Sequence, residues 1–268
     1  MTIKIFIGTE PKTAIFDQVL EFSIRRHTEA PADFLQFTRM IGPEWEYPIK
    51  GTQVGTGFSL RRWMIPAACG WQGYAVYLDA DQLVFDDILE LCKKTEKPDL
   101  LNTKDPVIWC SWQPDKFSKE PWPQTSVMVI NCERARGHWG FDIDRVLAHL
   151  RDDNTRASYA HFMHASWLAG KVARIGDEWN HLNKYVPKGK PKHTRLIHYT
   201  KEDAQPPYRP DLPLAKLWQK ELEMAIKAGQ VSREDFVRSL ASWKKKDDWR
   251  PTNGLHPYYK KYLNFFRA

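Results

Sequence analysis

The chain has 268 residues, 42% of them hydrophobic and 27% charged, a composition that fits one large or two small globular domains and excludes a disordered or fibrous protein. No apolar run approaches the roughly 20 residues of a membrane span, and the opening MTIKIFIGTEPK lacks a signal-peptide core, so the expectation is a cytoplasmic protein. The net charge of +7 is unevenly placed: residues 244–268 set seven lysines and arginines against two aspartates, which accounts for five of the seven charges and leaves the body nearly neutral.

The β-branched run Ile3–Ile7 reads as a strand stopping at Gly8, and a helical pattern follows from Ala14 to His27. Ala32–Thr38 reads as a second strand. Pro43, Pro48, Gly51, Gly55 and Gly57 then mark a long irregular stretch. Phe58–Cys69 reads as a helix, and Tyr74–Leu78 as a buried strand ending in Asp79-Ala80-Asp81. A helix over Asp87–Lys94 precedes strands at Val107–Ser111 and Val127–Asn131, helices at Asp142–Leu150 and Ser158–Ala169, and strands at Val172–Ile175 and Arg195–Tyr199. This alternation predicts a layered α/β fold with a mixed, mostly parallel sheet, in which ligands sit beyond the carboxyl ends of the strands. After Pro213 the pattern turns helical: Leu214, Leu217, Trp218, Leu222, Ala225 and Ile226 form a stripe ending at Gly229, and Ser232 with Asp235 resembles a capping box. The expected organisation is a body over residues 1–210 and a helical appendage over 211–268 that packs on it. Cys69, Cys92, Cys110 and Cys132 make no metal-spaced pair and read as free, buried thiols.

The sharpest feature is YLDADQLVFDD, an apolar strand that ends in two carboxylates one residue apart. At a strand end Asp79 and Asp81 can both offer oxygens to one hard divalent cation, and such a cation can bridge a diphosphate. Asp is also common in turns, where its side chain bonds nearby backbone. Asp86 and Asp87 read as caps of the next helix. The segment Arg195–Thr200 delivers His198 at the end of another strand, and an imidazole beside two carboxylates suits Mn²⁺ as well as Mg²⁺. A lone His among nine is weak evidence by itself. Of Arg61 and Arg62, one is expected to turn its guanidinium fork toward phosphate or sugar.

Taken in order, IFIGTE, FSIRRHT, GFSLRRWMIPAACG, YLDADQLVFDDILEL, QTSVMVINCE, GKVARIGDEWNHL and RLIHYT resemble the nucleotide-sugar-dependent glycosyltransferases of the GT-A fold, and among them glycosyltransferase family 8, over residues 3 to about 210. The resemblance implies a single Rossmann-like GT-A domain and transfer of a hexose, with retention of configuration, from a nucleoside-diphosphate sugar, here a UDP-sugar, to a hydroxyl of a glycan, glycolipid or small molecule. It implies Mn²⁺ or Mg²⁺ held by Asp79, Asp81 and His198. Donor contacts would come from Gly8, Thr9, Glu10, Arg62, Asp79, Ala80, Asp81 and Lys201. Gln124, Thr125, Ser126, Trp179 and Asn180 would face the donor sugar or the acceptor. The chain departs from the family in three places: His198 is followed by Tyr199-Thr200-Lys201 without the usual glycine, Tyr159–Met163 carries no carboxylate, and Thr125-Ser126-Val127 replaces an Asn-Ser-Gly or Asn-Ala-Gly. No catalytic side chain is therefore assigned.

Trp249, Tyr258, Tyr259, Tyr262, Phe265 and Phe266 sit among the cations of the tail. Such a tail can contact an anionic membrane surface, or it can pack on the domain with its lysines in water, and the second is the stronger expectation. Two functions compete with glycosyl transfer: sugar-nucleotide nucleotidyl transfer, against which the GTEPKTA loop is a poor phosphate cradle, and a non-catalytic sugar- or nucleotide-binding protein of the same fold. Nucleic acid is not an expected partner, because the positive charge stays in the tail and the body carries no nucleic-acid motif.

Overall fold

A computed structural model describes residues 2–9, 14–31, 35–39, 59–97, 99, 101–113, 121–152, 156–183, 192–200, 205–212, 214–243 and 255–267. In chain order the elements are β1 (Ile3–Gly8), α1 (Ala14–His27), β2 (Leu35–Arg39), α2 (Ile65–Ala68), β3 (Tyr74–Asp79), β4 (Gln82–Val84), α3 (Ile88–Cys92), β5 (Ile108–Gln113), β6 (Trp122–Asn131), α4 (Cys132–Ala135), α5 (Ile143–Asp152), α6 (Arg156–Met163), β7 (Val172–Arg174), β8 (His181–Leu182), β9 (Leu196–His198), α7 (Ala215–Lys227) and α8 (Arg233–Ala241). The chain is thus mixed α/β with a central, mostly parallel sheet, as expected from the sequence. The expected helix over 58–69 is instead a 3₁₀ turn, Arg61–Met64, followed by the short α2, whose second residue is Pro66. Proline has no N–H to bond back to the turn before it, so a regular helix restarts there rather than running through.

The chain divides into two compact units. The first comprises Met1–Gly8, Ala30–Asp79 and Leu89–Asp177. Its six-stranded sheet has the order β2-β1-β3-β6-β5-β7. β1 lies parallel to β2 and β3, β7 lies parallel to β5, and β6 runs antiparallel to both its neighbours. On one face Tyr77, Cys110, Met128 and Ile130 meet Leu60, Trp63, Phe141, Val146, Leu150, Phe162 and Leu168 in a continuous core. Each such large side chain contributes about 1.5–3 kcal/mol by leaving water. Trp63 is 1% exposed, with Phe141, Phe162 and Trp167 edge-on to it at ring separations of 5.9, 5.6 and 5.3 Å. A Cβ on Gly140 would lie 2.4 Å from the Trp167 ring, so only glycine fits there.

β6 begins at Trp122 rather than at the expected Val127, because its first residues pair with β5 through an irregularity. Cys110 pairs with Met128, yet the next residue, Ser111, pairs with Gln124. Thr125, Ser126 and Val127 are therefore extra residues on the β6 side, and a bulge of this kind re-aims side chains.

The second unit comprises Thr9–Glu29, Ala80–Ile88 and Glu178–Ala268, so residue 210 falls inside it. A small sheet of order β4-β9-β8 packs with α1, which also packs on α7 and α8. β4 and β8 have three and two residues, too few to show an alternating pattern in sequence. Arg26 grips the 3% exposed Glu221 of α7 through two bonds of 2.8 and 2.7 Å, a fork geometry only arginine supplies. Ser232 Oγ accepts the Asp235 N–H at 3.0 Å and caps α8. Residues Pro257–Arg267 form a 3₁₀ stretch in which Tyr259 meets Trp218, donates its hydroxyl to Pro206 O at 2.6 Å and is fully buried, while Phe266 meets Phe236 and Tyr258 stays exposed. Lys260 and Lys261 stay exposed. The cations at 244–250 and Trp249 lie outside the described residues. Among the described residues no helix is long and apolar enough to cross a membrane.

Candidate metal and donor site

Parallel pairing places Gly8 beside Asp79, so β1 and β3 end together. Tyr77 lies two residues before Asp79 on the same strand face, and its hydroxyl donates to Asp79 Oδ1. Arg62 is buried, and its guanidinium is spread over four acceptors: Ser59 O at 2.9 Å, Thr125 O at 2.8 Å, Thr125 Oγ1 at 3.3 Å and Asp79 Oδ1 at 3.1 Å. Its carbon also lies 4.6 Å from the centre of the Tyr77 ring. The bulge in β6 is what turns Thr125 toward this arginine. Arg62 therefore fixes the carboxylate of Asp79 while carrying a cation next to it. The Thr125 hydroxyl in turn donates to Met163 O at 2.8 Å.

One residue beyond Asp79 the chain passes the buried Ala80 and reaches Asp81, ahead of β4. Antiparallel pairing sets Gln82 opposite His198, and the Tyr199 N–H donates to Asp81 O at 2.9 Å. That register brings His198 Nε2 to 3.2 Å from Asp81 Oδ1. The other ring nitrogen, Nδ1, lies 3.1 Å from the amide oxygen of Asn180, which is wholly buried just ahead of β8. An amide oxygen can only accept, so Nδ1 donates to it and Nε2 is the nitrogen turned toward the carboxylate, placed to share a cation with it. Gln205 donates to the second Asp81 oxygen at 2.5 Å and holds the carboxylate in place.

Asp79, Asp81 and His198 together offer ligand atoms within 4.8 Å of one another. Their proximity follows from a single intervening residue and from the β4–β9 register. Oxygen, oxygen and imidazole nitrogen form a donor set suited to Mn²⁺ or Mg²⁺, with Asn180 in the supporting position that fixes a ligating imidazole.

Of the other residues singled out in the sequence, Thr9 is buried after the end of β1, while Glu10 and Lys201 lie outside the described residues. Gln124 is half-buried, and Thr125 and Ser126 are buried in the bulge. Trp179 is fully buried, with the guanidinium carbon of Arg195 at 5.6 Å over its ring, and Arg195 also pairs with Asp86 at 3.0 Å. Tyr77 and Gln205 were not foreseen. The two-residue spacing of Tyr77 from Asp79 was a usable signal, whereas Gln205 bonds across 124 positions and left none.

No family model matches the chain. Protein CDI of Arabidopsis thaliana is 26% identical over 234 residues, covering 82% of this chain and 86% of that protein. Among solved structures, the galactosyltransferase LgtC in complex with donor and acceptor sugar analogues superposes with a TM-score of 0.60 at 15% identity, over 86% of this chain and 100% of that one. The bifunctional glycosyltransferase WbbM gives 0.57 at 13% identity, over 82% of this chain and 49% of its own. The glycosyltransferase GlyE of Streptococcus pneumoniae TIGR4 gives 0.56 at 14% identity, over 83% of this chain and 60% of its own. Likeness at these identities speaks for architecture, and the architecture of this chain is that of the GT-A glycosyltransferases.

Proposed function

We propose that this protein is a metal-dependent glycosyltransferase that moves a hexose from a UDP-sugar to an acceptor hydroxyl, with retention of configuration as in family 8. The observation that carries the reading is the group formed by Asp79, Asp81 and His198 at the carboxyl end of a sheet strand, where α/β folds bind nucleotides. The ordered motifs that resemble family 8, and the likeness in fold to a galactosyltransferase that holds donor and acceptor analogues, support it.

A divalent cation bound there supplies charge neutralisation for the departing diphosphate. The chain's own residues do the positioning. Asn180 and Gln205 orient His198 and Asp81, while Tyr77 and Arg62 orient Asp79, so the ligand set is arranged before the donor arrives. Gly8, lacking a side chain beside Asp79, leaves room for a nucleotide to approach the strand ends. Lys201 is assigned to the diphosphate, and Gln124, beside the bulge, with Thr125 and Ser126 in it, to the sugar.

Calorimetric titration of UDP, with Mn²⁺ or with EDTA, tests the reading on the full chain and on Asp81→Ala. The expected result is metal-dependent UDP binding that the substitution removes. UDP binding that is equal in EDTA, or unaffected by Asp81→Ala, would refute it. Pyrophosphate release from a nucleoside triphosphate and a sugar phosphate would instead establish the nucleotidyl-transfer alternative.

A further inference from the structure

In the first unit, Trp112 and Pro123 pair with each other across β5 and β6 one position outside the Ser111–Gln124 pair that opens the bulge. Both line a cavity of about 480 Å³ that no step of the proposed mechanism uses. That volume falls in the ordinary range for small-molecule sites. His164 forms another part of the wall, and its ring is clamped flat by Trp122 at a centroid separation of 3.9 Å and an interplanar angle of 26°. Half-buried flat rings of this kind cover the apolar faces of sugars while leaving the hydroxyls to polar groups at the rim, here Asn102 and Ser166.

The backbone around the cavity is unusual. Asn102, Ala165 and Gly170 all line it, and all adopt left-handed φ values of 54°, 55° and 72°. For Ala165 that conformation is disfavoured by its own Cβ, and such outliers cluster where a chain is shaped around a ligand. Hydrogen bonds connect this wall to the carboxylate described above. Asp79 accepts from Arg62, Arg62 donates to Thr125, and Thr125 donates to Met163, the neighbour of His164. Lys104 lines the cavity and no carboxylate does, which disfavours an amino sugar.

We propose that this cavity is a saccharide subsite taking a neutral pyranose of the acceptor, a role that rests on the glycosyltransferase reading. The pyranose lies against Trp112 and His164, and the side chains of Asn102 and Ser166 meet its hydroxyls.

The test is saturation-transfer NMR on the full chain with three probes: methyl α-glucopyranoside, methyl β-galactopyranoside and methyl α-mannopyranoside. UDP with Mn²⁺ is titrated into the same samples. Ser166→Trp fills the mouth from an exposed position that the fold does not depend on, and Trp112→Phe keeps a ring while shrinking its face. At least one glycoside is expected to bind, at least tenfold more weakly to Ser166→Trp, with UDP affinity unchanged within twofold. No binding of any of the three, or binding unchanged by Ser166→Trp, overturns the subsite. Glycoside binding that behaves as expected in a chain that ignores UDP would keep the saccharide site and remove the glycosyltransferase reading instead.

Discussion

Arg62→Met isolates what the buried guanidinium does. The side chain of Arg62 is 5% exposed and that of its partner Asp79 15%, so both charges sit largely out of water. Methionine preserves most of the stem but takes the guanidinium away from the Asp79 carboxylate, which keeps the Tyr77 hydroxyl as a donor, and strips the bonds to Ser59 O and Thr125 O. Removing one partner of a buried pair costs about 3–5 kcal/mol, because a charge is left uncompensated. Against a total stability of about 5–15 kcal/mol, that is a large fraction. At about 2–4 °C per kcal/mol for a chain near this size, the midpoint of thermal unfolding should fall by about 10 °C. Urea unfolding followed by tryptophan fluorescence measures the loss directly. Adding Asp79→Asn should return about 1–3 kcal/mol, because the stranded charge is gone, and the two substitutions should then be clearly non-additive. A loss for Arg62→Met under about 1 kcal/mol at unchanged m, or strict additivity in the cycle, would refute the picture of a guanidinium that holds the carboxylate.

Asn180→Leu, which removes the acceptor from His198 Nδ1 without adding a charge, should weaken Mn²⁺ binding by about 10–100-fold, and titration monitored by calorimetry would show it. The Cys69 thiol is lowered to about 7 by its hydrogen bond with Cys132, against the burial that opposes ionisation, whereas burial pushes the Cys110 thiol far up. Iodoacetamide should therefore label Cys69 ahead of Cys110, with a rate that rises about tenfold per pH unit below 7 and levels off above it, as mass spectrometry of peptides would record. Gly140→Ala should cost about 1–3 kcal/mol in urea unfolding, because the Trp167 ring has no room to yield within its aromatic cluster.

The α/β alternation was legible because the strands that carry the site, β1, β3 and β9, are apolar runs closed by Gly8, Asp79 and His198. The Asp-Ala-Asp tripeptide and the strand-end histidine were legible for the same reason. What brings them together was not, since the pairing of Gln82 with His198 joins positions 116 residues apart and no local period encodes it. The role of Asn180 was hidden likewise. It stands ahead of a two-residue strand, and its partner is known only once β8 and β9 are in register. In the tail, the aromatic residues signalled contact with something apolar, but sequence alone left open whether that was lipid or the α7–α8 surface on which Tyr259 and Phe266 rest.

The outer side of β7 shows how the large sheet stops growing. The Arg174 N–H, directed away from β5, is taken by Asp99 Oδ2 at 3.1 Å, and the Thr103 hydroxyl, which donates to the same oxygen at 3.0 Å, covers the Val172 carbonyl at 3.4 Å. A strand from another chain would find these ladder positions filled, which guards against edge-to-edge aggregation. Burial alone would raise the Asp99 pKa, but N–H groups of Thr103, Arg174 and Leu101 bring it below the ordinary carboxylate value. Asp99 therefore stays ionised to a lower pH than an ordinary carboxylate, so the seal on this edge is complete above the ordinary carboxylate pKa and weakens only as the pH falls through the lowered one.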